Sequence, residues 1–179
     1  MTHETAANPR TPARKNAGIA AAALAAMTAV ATPLLITWEG VRTDPYRDSV
    51  GIQTVCVGET RVAMRRYTLA ECKAMLAEAI PDYAVPVAQA APGIEDSPYE
   101  WAAHTSLAYN IGVAAYRRSS VVRLFNEGKR REACRFFGRY KFAGGRVLRG
   151  LDLRRNGDSQ RVGEIEVCMV GAVQAELNR

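Results

Sequence analysis

Apolar and charged positions divide this chain sharply. Residues 17–37 carry no charge at all, and Trp38-Glu39-Gly40 comes next without a linker. As a helix the run would rise about 31 Å, close to the roughly 30 Å hydrocarbon core of a bilayer. Its apolarity is weak, with nine alanines against seven larger apolar residues. Beyond it the pattern turns irregular and then helical. Tyr46-Arg47, Asp48-Ser49-Val50-Gly51 and Ile52-Gln53-Thr54-Val55 read as strand, turn and strand. Thr68-Leu69-Ala70-Glu71 is a capping box opening a helix to about Ile80, stopped by Pro81. Ser97-Pro98-Tyr99-Glu100 opens another, ending near Asn110 with Gly112 as its breaker. Further helices are expected from Ser119 to Glu127, from Lys129 to Phe142 and from about Val162 to Leu177. Between Pro81 and Pro98 four prolines predict a less regular connection or a broken helix. The fold class expected is α+β: a small sheet, then a mainly helical body, preceded by one apolar helix. This pattern implies three segments: a polar stretch over 1–16, the apolar helix over 17–37 and a single folded domain over 38–179.

Charge sharpens the reading of the N-terminus. Arg10, Arg14 and Lys15 precede the apolar run and mark a cytoplasmic flank. Ala29-Val30-Ala31 resembles a small-x-small processing site, so a cleaved signal peptide is one alternative. A permanent anchor is a second. A reversible anchor accounts best for an alanine-rich span joined directly to Trp38 and Glu39, since alanine gains little from lipid.

The whole chain has a formal charge of +6, with 48% apolar and 23% charged residues, which suits a soluble domain that meets a polyanion. Most of its basic pairs (Arg65-Arg66, Arg117-Arg118, Arg130-Arg131, Arg154-Arg155) read as solvated helix faces. No aromatic-interleaved basic stripe accompanies them, which argues against nucleic acid as a partner. Cys56, Cys72, Cys134 and Cys168 all lie beyond the apolar run. In an oxidising compartment they could form up to two disulfides, with three connectivities left open. His3 and His104 stand apart from them and no Cys-x-x-Cys pair occurs, so no metal site and no cofactor is expected.

Candidate chemistry gathers just after the apolar run. Glycoside hydrolysis needs one group to protonate the leaving oxygen and another to handle water or positive charge. Glu39, beside Trp38 at a helix end, is the candidate acid, on the expectation that an apolar setting disfavours its charged form. Asp48, on an open turn, is expected to stay ionised, and Thr54, on the returning strand, could orient a water.

These residues also carry a resemblance. Trp38-Glu39-Gly40-Val41-Arg42, Pro45-Tyr46-Arg47-Asp48 and Gly51-Ile52-Gln53-Thr54-Val55-Cys56-Val57-Gly58 resemble the active-site region of phage-type lysozymes, glycoside hydrolase family 24. Thr68-Leu69-Ala70-Glu71-Cys72-Lys73, Ala108-Tyr109-Asn110-Ile111-Gly112, Phe142-Ala143-Gly144-Gly145 and Gly150-Leu151 extend it over most of 38–179. Within that family the chain is most similar to lambdoid-phage endolysins with a signal-arrest-release anchor. The resemblance implies a lysozyme-like fold and a muramidase cutting β-1,4 bonds between N-acetylmuramic acid and N-acetylglucosamine in peptidoglycan. Glu39 would be the proton donor, Asp48 the second carboxylate and Thr54 the third member. Tyr109, Asn110 and Ser119 fall near positions lining the family's sugar cleft. The implied life history is export by the translocon, residence in the host inner membrane through 17–37, then release to the periplasm as a monomer when a holin collapses the membrane potential. One departure stands out: Asn156-Gly157-Asp158-Ser159-Gln160 intervenes where the family runs straight into its last helix, and it casts doubt on a role for Arg154-Arg155.

Overall fold

The computed structural model describes residues 20–48 and 51–178. Expectations for residues 1–19, Ser49 and Val50 lie outside them. The apolar run forms helix α1 (Ala21–Glu39), with Gly40 at φ +74° closing it and donating its N–H to the Ile36 carbonyl at 3.0 Å. Met27, Ala31, Leu34 and Leu35 are buried, a stripe at i, i+4 and i+7/i+8 that faces the protein. That stripe meets α4 (Pro98–Ile111), the central helix of the body, which packs α1 on one side and α9 (Glu164–Leu177) on another. Every residue of α4 from Glu100 to Ala108 is buried. The approach of α9 is close enough that a Cβ on Gly171 would stand 2.5 Å from Ser97 Oγ and 2.7 Å from Glu100 Cβ.

After α1 comes an antiparallel hairpin of β1 (Arg42–Arg47) and β2 (Gln53–Cys56), pairing Tyr46 with Thr54 and Arg47 with Gln53. Then come α2 (Leu69–Ala79) and α3 (Pro81–Ala90). The capping box at Thr68 and Glu71 is formed, as is the Ser97 cap. The proline-rich stretch is more regular than expected: Pro81 takes a first-turn position where no N–H is needed, and α3 accommodates Pro86. After α5 (Val113–Arg117) and α6 (Ser120–Asn126), α7 stops at Phe136 (Arg130–Phe136) rather than continuing to Phe142. A second hairpin takes over, β3 (Phe142–Ala143) and β4 (Arg146–Val147), turned by Gly144 and Gly145. Both glycines have positive φ, the pair a two-residue hairpin loop requires, so the Gly-Gly step is a turn and not a helix stop. An additional helix, α8 (Arg149–Asn156), precedes α9.

Two disulfides staple this body, Cys56–Cys72 joining β2 to α2 and Cys134–Cys168 joining α7 to α9. Closing loops of this length is worth about 3–4 kcal/mol each through the unfolded chain. His104 is not remote from the cysteines in space. Its ligand atom lies with those of Glu100, Cys134 and Cys168, all within 4.8 Å of one another, although the two sulfurs are spent on each other. Nor are all basic pairs solvated. Arg130 is buried against Glu100, with Nε 2.7 Å from Oε2.

His104 is fully buried, its Nδ1 2.7 Å from the Tyr116 hydroxyl oxygen and its ring edge-on to Phe125 and Phe137. Burial, helped by the Arg130 charge, pushes its imidazole down to about 3 from 6.5. The unfolded chain therefore takes up a proton that the native core refuses, and stability falls as pH drops below 6.5. Glu71, held at about 2 chiefly by a hydrogen bond from Arg65, adds its own loss only below 4.5. Urea unfolding between pH 7 and 5 should therefore show a decline that His104→Gln flattens; an unchanged slope in that variant would contradict the assignment.

Candidate active site

Glu39 ends α1, and the helix C-terminus points it at α8. Its Oε1 accepts an ion-paired hydrogen bond from Nη1 of Arg154. The arginine is almost wholly buried while the Glu39 side chain keeps 29% of its surface exposed. Arg154 is itself fixed on its other edges: Nε donates to Glu164 Oε1 at 2.8 Å, and Nη2 to the Ser106 carbonyl and hydroxyl oxygens at 3.1 Å. Ser106 in turn donates its hydroxyl to Glu164 Oε1 at 2.6 Å. Arg155 completes the cluster, bonding Glu164 Oε2, Asn110 Oδ1 and, at 3.1 Å, the Tyr140 carbonyl. Two guanidinium groups thus face two carboxyl groups, and α1, α4, α8 and α9 each contribute to one hydrogen-bonded knot. Burial works against the Arg154 charge, but Glu164 and Glu39 outweigh it and hold the guanidinium above its ordinary value. For Arg155, burial dominates and lowers it.

The setting of Glu39 differs from the expected apolar one. Its neighbour is a cation, reached across 115 positions of sequence. The arginine pair read as a solvated face is what seats the candidate acid. Sequence reasoning missed Arg154, Arg155, Ser106 and Glu164; the only available signal was a pair of arginines with an acidic helix start at short range beyond it.

A cleft of about 380 Å³ opens beside Glu39, lined also by Arg42 and Tyr46 of β1, by Cys56, Val57 and Gly58, and by Tyr109. Tyr109 borders a second hollow of about 280 Å³ towards Glu59, Asp82 and Tyr83. Its ring lies 4.7 Å from that of Tyr83, and its hydroxyl donates to the Val57 carbonyl at 3.1 Å. Burial first, then the Glu39 carboxylate, pushes its phenol up to about 12. Asp48 and Thr54 sit on the hairpin that forms the wall, not among the residues lining the hollow. Asp48 Oδ1 accepts the Ile52 N–H at 2.8 Å, while the buried Thr54 hydroxyl donates to the Ile52 carbonyl at 3.0 Å. Both candidates are thereby tied to one turn. Asn110 lies beneath the site as an Arg155 partner. Ser119 is elsewhere: its hydroxyl caps α6 by accepting the Val122 N–H at 3.2 Å, and it borders neither hollow.

With this geometry in place, comparison with known proteins is decisive. Residues 36–158 match the phage lysozyme family model. The chain belongs to the phage lysozyme family. A SAR-endolysin of Enterobacteria phage P21 is 38% identical over 138 residues, covering 74% of this chain and 78% of the relative. Among solved structures, the active form of the P1 phage endolysin Lyz superposes with a TM-score of 0.64 at 23% identity, covering 87% of this chain and 97% of that one. The muramidase domain of SpmX from Asticaccaulis excentricus gives 0.65 at 22% identity, with 85% and 97% covered. These neighbours share the lysozyme fold, and family membership makes the chain a lysozyme-type glycosidase of the endolysin class.

Removing Arg154 should leave Glu164 and Glu39 facing each other's charge without their shared cation. Arg154→Ala is expected to lose about 3–5 kcal/mol in urea unfolding, the cost of breaking a buried pair. Arg154→Lys should lose less, because a point charge replaces the fork. A loss under about 1 kcal/mol for the alanine variant would show that the knot does not hold the body together.

Proposed function

We propose that this chain is a muramidase that cuts the β-1,4 bond between N-acetylmuramic acid and N-acetylglucosamine in peptidoglycan, lysing the host cell. The observation that carries the reading is Glu39, fixed through Oε1 by Arg154 at the edge of a cleft that Arg42 and Tyr46 of β1 and Cys56 of β2 also line. With Oε1 occupied, Oε2 is the oxygen that delivers a proton to the glycosidic bond. Asp48, anchored by the Ile52 N–H, supplies the second carboxylate, against the positive charge that develops at the anomeric carbon or as base to water. Thr54 spends its proton on the Ile52 carbonyl, so its oxygen is left to accept from that water. Tyr109 offers an aromatic face beside the acid for a sugar ring. The +6 charge favours an anionic polymer such as peptidoglycan.

The same reading includes a tethered stage. Export by the translocon would leave 1–16 in the cytoplasm and 17–37 in the inner membrane, with release to the periplasm when a holin depolarises it. α1 is long and apolar enough to cross a bilayer, by length and composition. The name SAR-endolysin carried by the P21 relative supports this course. Cleavage at Ala29-Val30-Ala31 fits poorly with the packing, because it would remove Met27 and Ala31 from the core they help to fill. An uncoupler added to expressing cells should move full-length chain from the membrane to the periplasmic fraction; a product beginning near Thr32 would instead favour a cleaved signal.

A positioned general acid contributes about 10²–10⁴ in rate. Glu39→Gln should therefore abolish release of reducing sugars from purified peptidoglycan while its circular dichroism stays native, and Asp48→Asn should impair it severely. Wild-type rates in either variant would remove that residue from the mechanism, and absence of reducing sugars from the native chain would leave only a wall-binding module.

A further inference from the structure

The segment that departs from the family pattern is built around the residue next to the acid. Trp38 donates its indole N–H to the Val162 carbonyl at 3.2 Å, and the Arg161 guanidinium lies 4.4 Å from the centre of its ring. Arg161 is held for this by Asp158: Nε and Nη2 reach Oδ2 at 2.9 and 2.5 Å, while Oδ1 accepts the N–H groups of Gln160 and Arg161 at 2.9 and 2.8 Å. The loop is folded back on itself with no room to spare. Gly157 has φ +77°, and a Cβ there would stand 2.6 Å from the Arg161 carbonyl oxygen and 2.7 Å from the Gly163 nitrogen. This closed loop joins α8, which carries Arg154, to α9, which carries Glu164.

We infer that residues 157–163 form a seat for Trp38 that sets the last turn of α1 in register with Arg154, making Trp38 and Arg161 positioning residues for Glu39. The inference rests on the reading of Glu39 as the acid. Arg154 grips the Glu39 carboxylate by one oxygen, which leaves the carboxyl group free to swing about that contact. A second hold on the adjacent residue removes that freedom. Both holds come from one stretch of chain, so the acid and its partner are placed relative to the same frame. Neither Trp38 nor Arg161 touches the substrate in this scheme; they act through the geometry of Glu39, and a small displacement of a reacting group is costly in rate.

The test is steady-state hydrolysis of purified peptidoglycan by full-length variants. Arg161→Ala should lower kcat about two- to fivefold, the worth of an exposed cation–π contact, with KM unchanged. Trp38→Leu, which also loses the indole hydrogen bond, should lower it about tenfold, and Trp38→Phe should fall between because the ring remains. In the Trp38→Leu background Arg161→Ala should have no further effect, the mark of a shared interaction. Should Trp38→Leu not fold, acrylamide quenching of the native chain and of Arg161→Ala decides the matter. The other tryptophan, Trp101, is buried in the core, so added quenching reports Trp38. Multiplicative losses, a change confined to KM, or unaltered quenching in Arg161→Ala would overturn the seat. Failure of the acid assignment is separate: it shows as activity in Glu39→Gln, whatever these variants do.

Discussion

Placement of Glu39 in this protein depends on a buried guanidinium. Arg154 sits under Glu39 at the meeting point of α1, α4, α8 and α9, with Glu164 and Ser106 occupying its remaining donors. An arginine in such a place is costly unless its edges are matched, and here the matching groups come from three helices other than its own. The consequence is geometric: Glu39 reaches its partner only when α1 lies along α4 with its Met27–Leu35 stripe inward. Local chemistry and global packing are one constraint.

That constraint falls on a helix that is also long and apolar enough to cross a bilayer, by length and composition. In this structure its Met27–Leu35 stripe is buried against protein. A leucine-rich span would gain far more from lipid than this alanine-rich one. Because α1 runs without a linker to Glu39, any movement of the helix carries that carboxylate with it.

What was legible in the sequence was local. The caps at Thr68 and Ser97 act within three residues and are formed as their patterns predict. The family resemblance over Trp38–Gly58 is likewise a local signal, and the family membership found by comparison agrees with it. What escaped depends on distant partners. Arg154 and Arg155 resemble any surface pair until Glu39, Glu164 and Asn110 close over them from elsewhere in the chain. His104 is remote from the cysteines along the chain for the same reason, and near them only once α4, α7 and α9 pack. The Gly144-Gly145 turn and α8 were missed because a glycine pair ends a helix as readily as it turns a hairpin. Ser119, placed near the cleft by resemblance, is used as a cap.

The claim that helix packing assembles the site is tested most directly by comparing one preparation in two states. Full-length chain held in proteoliposomes at its apolar helix, and the same chain released into buffer, would be given equal peptidoglycan. The account predicts that the embedded form hydrolyses it at least about a hundredfold more slowly, as expected of an enzyme lacking its positioned acid. Equal rates in the two states would contradict it.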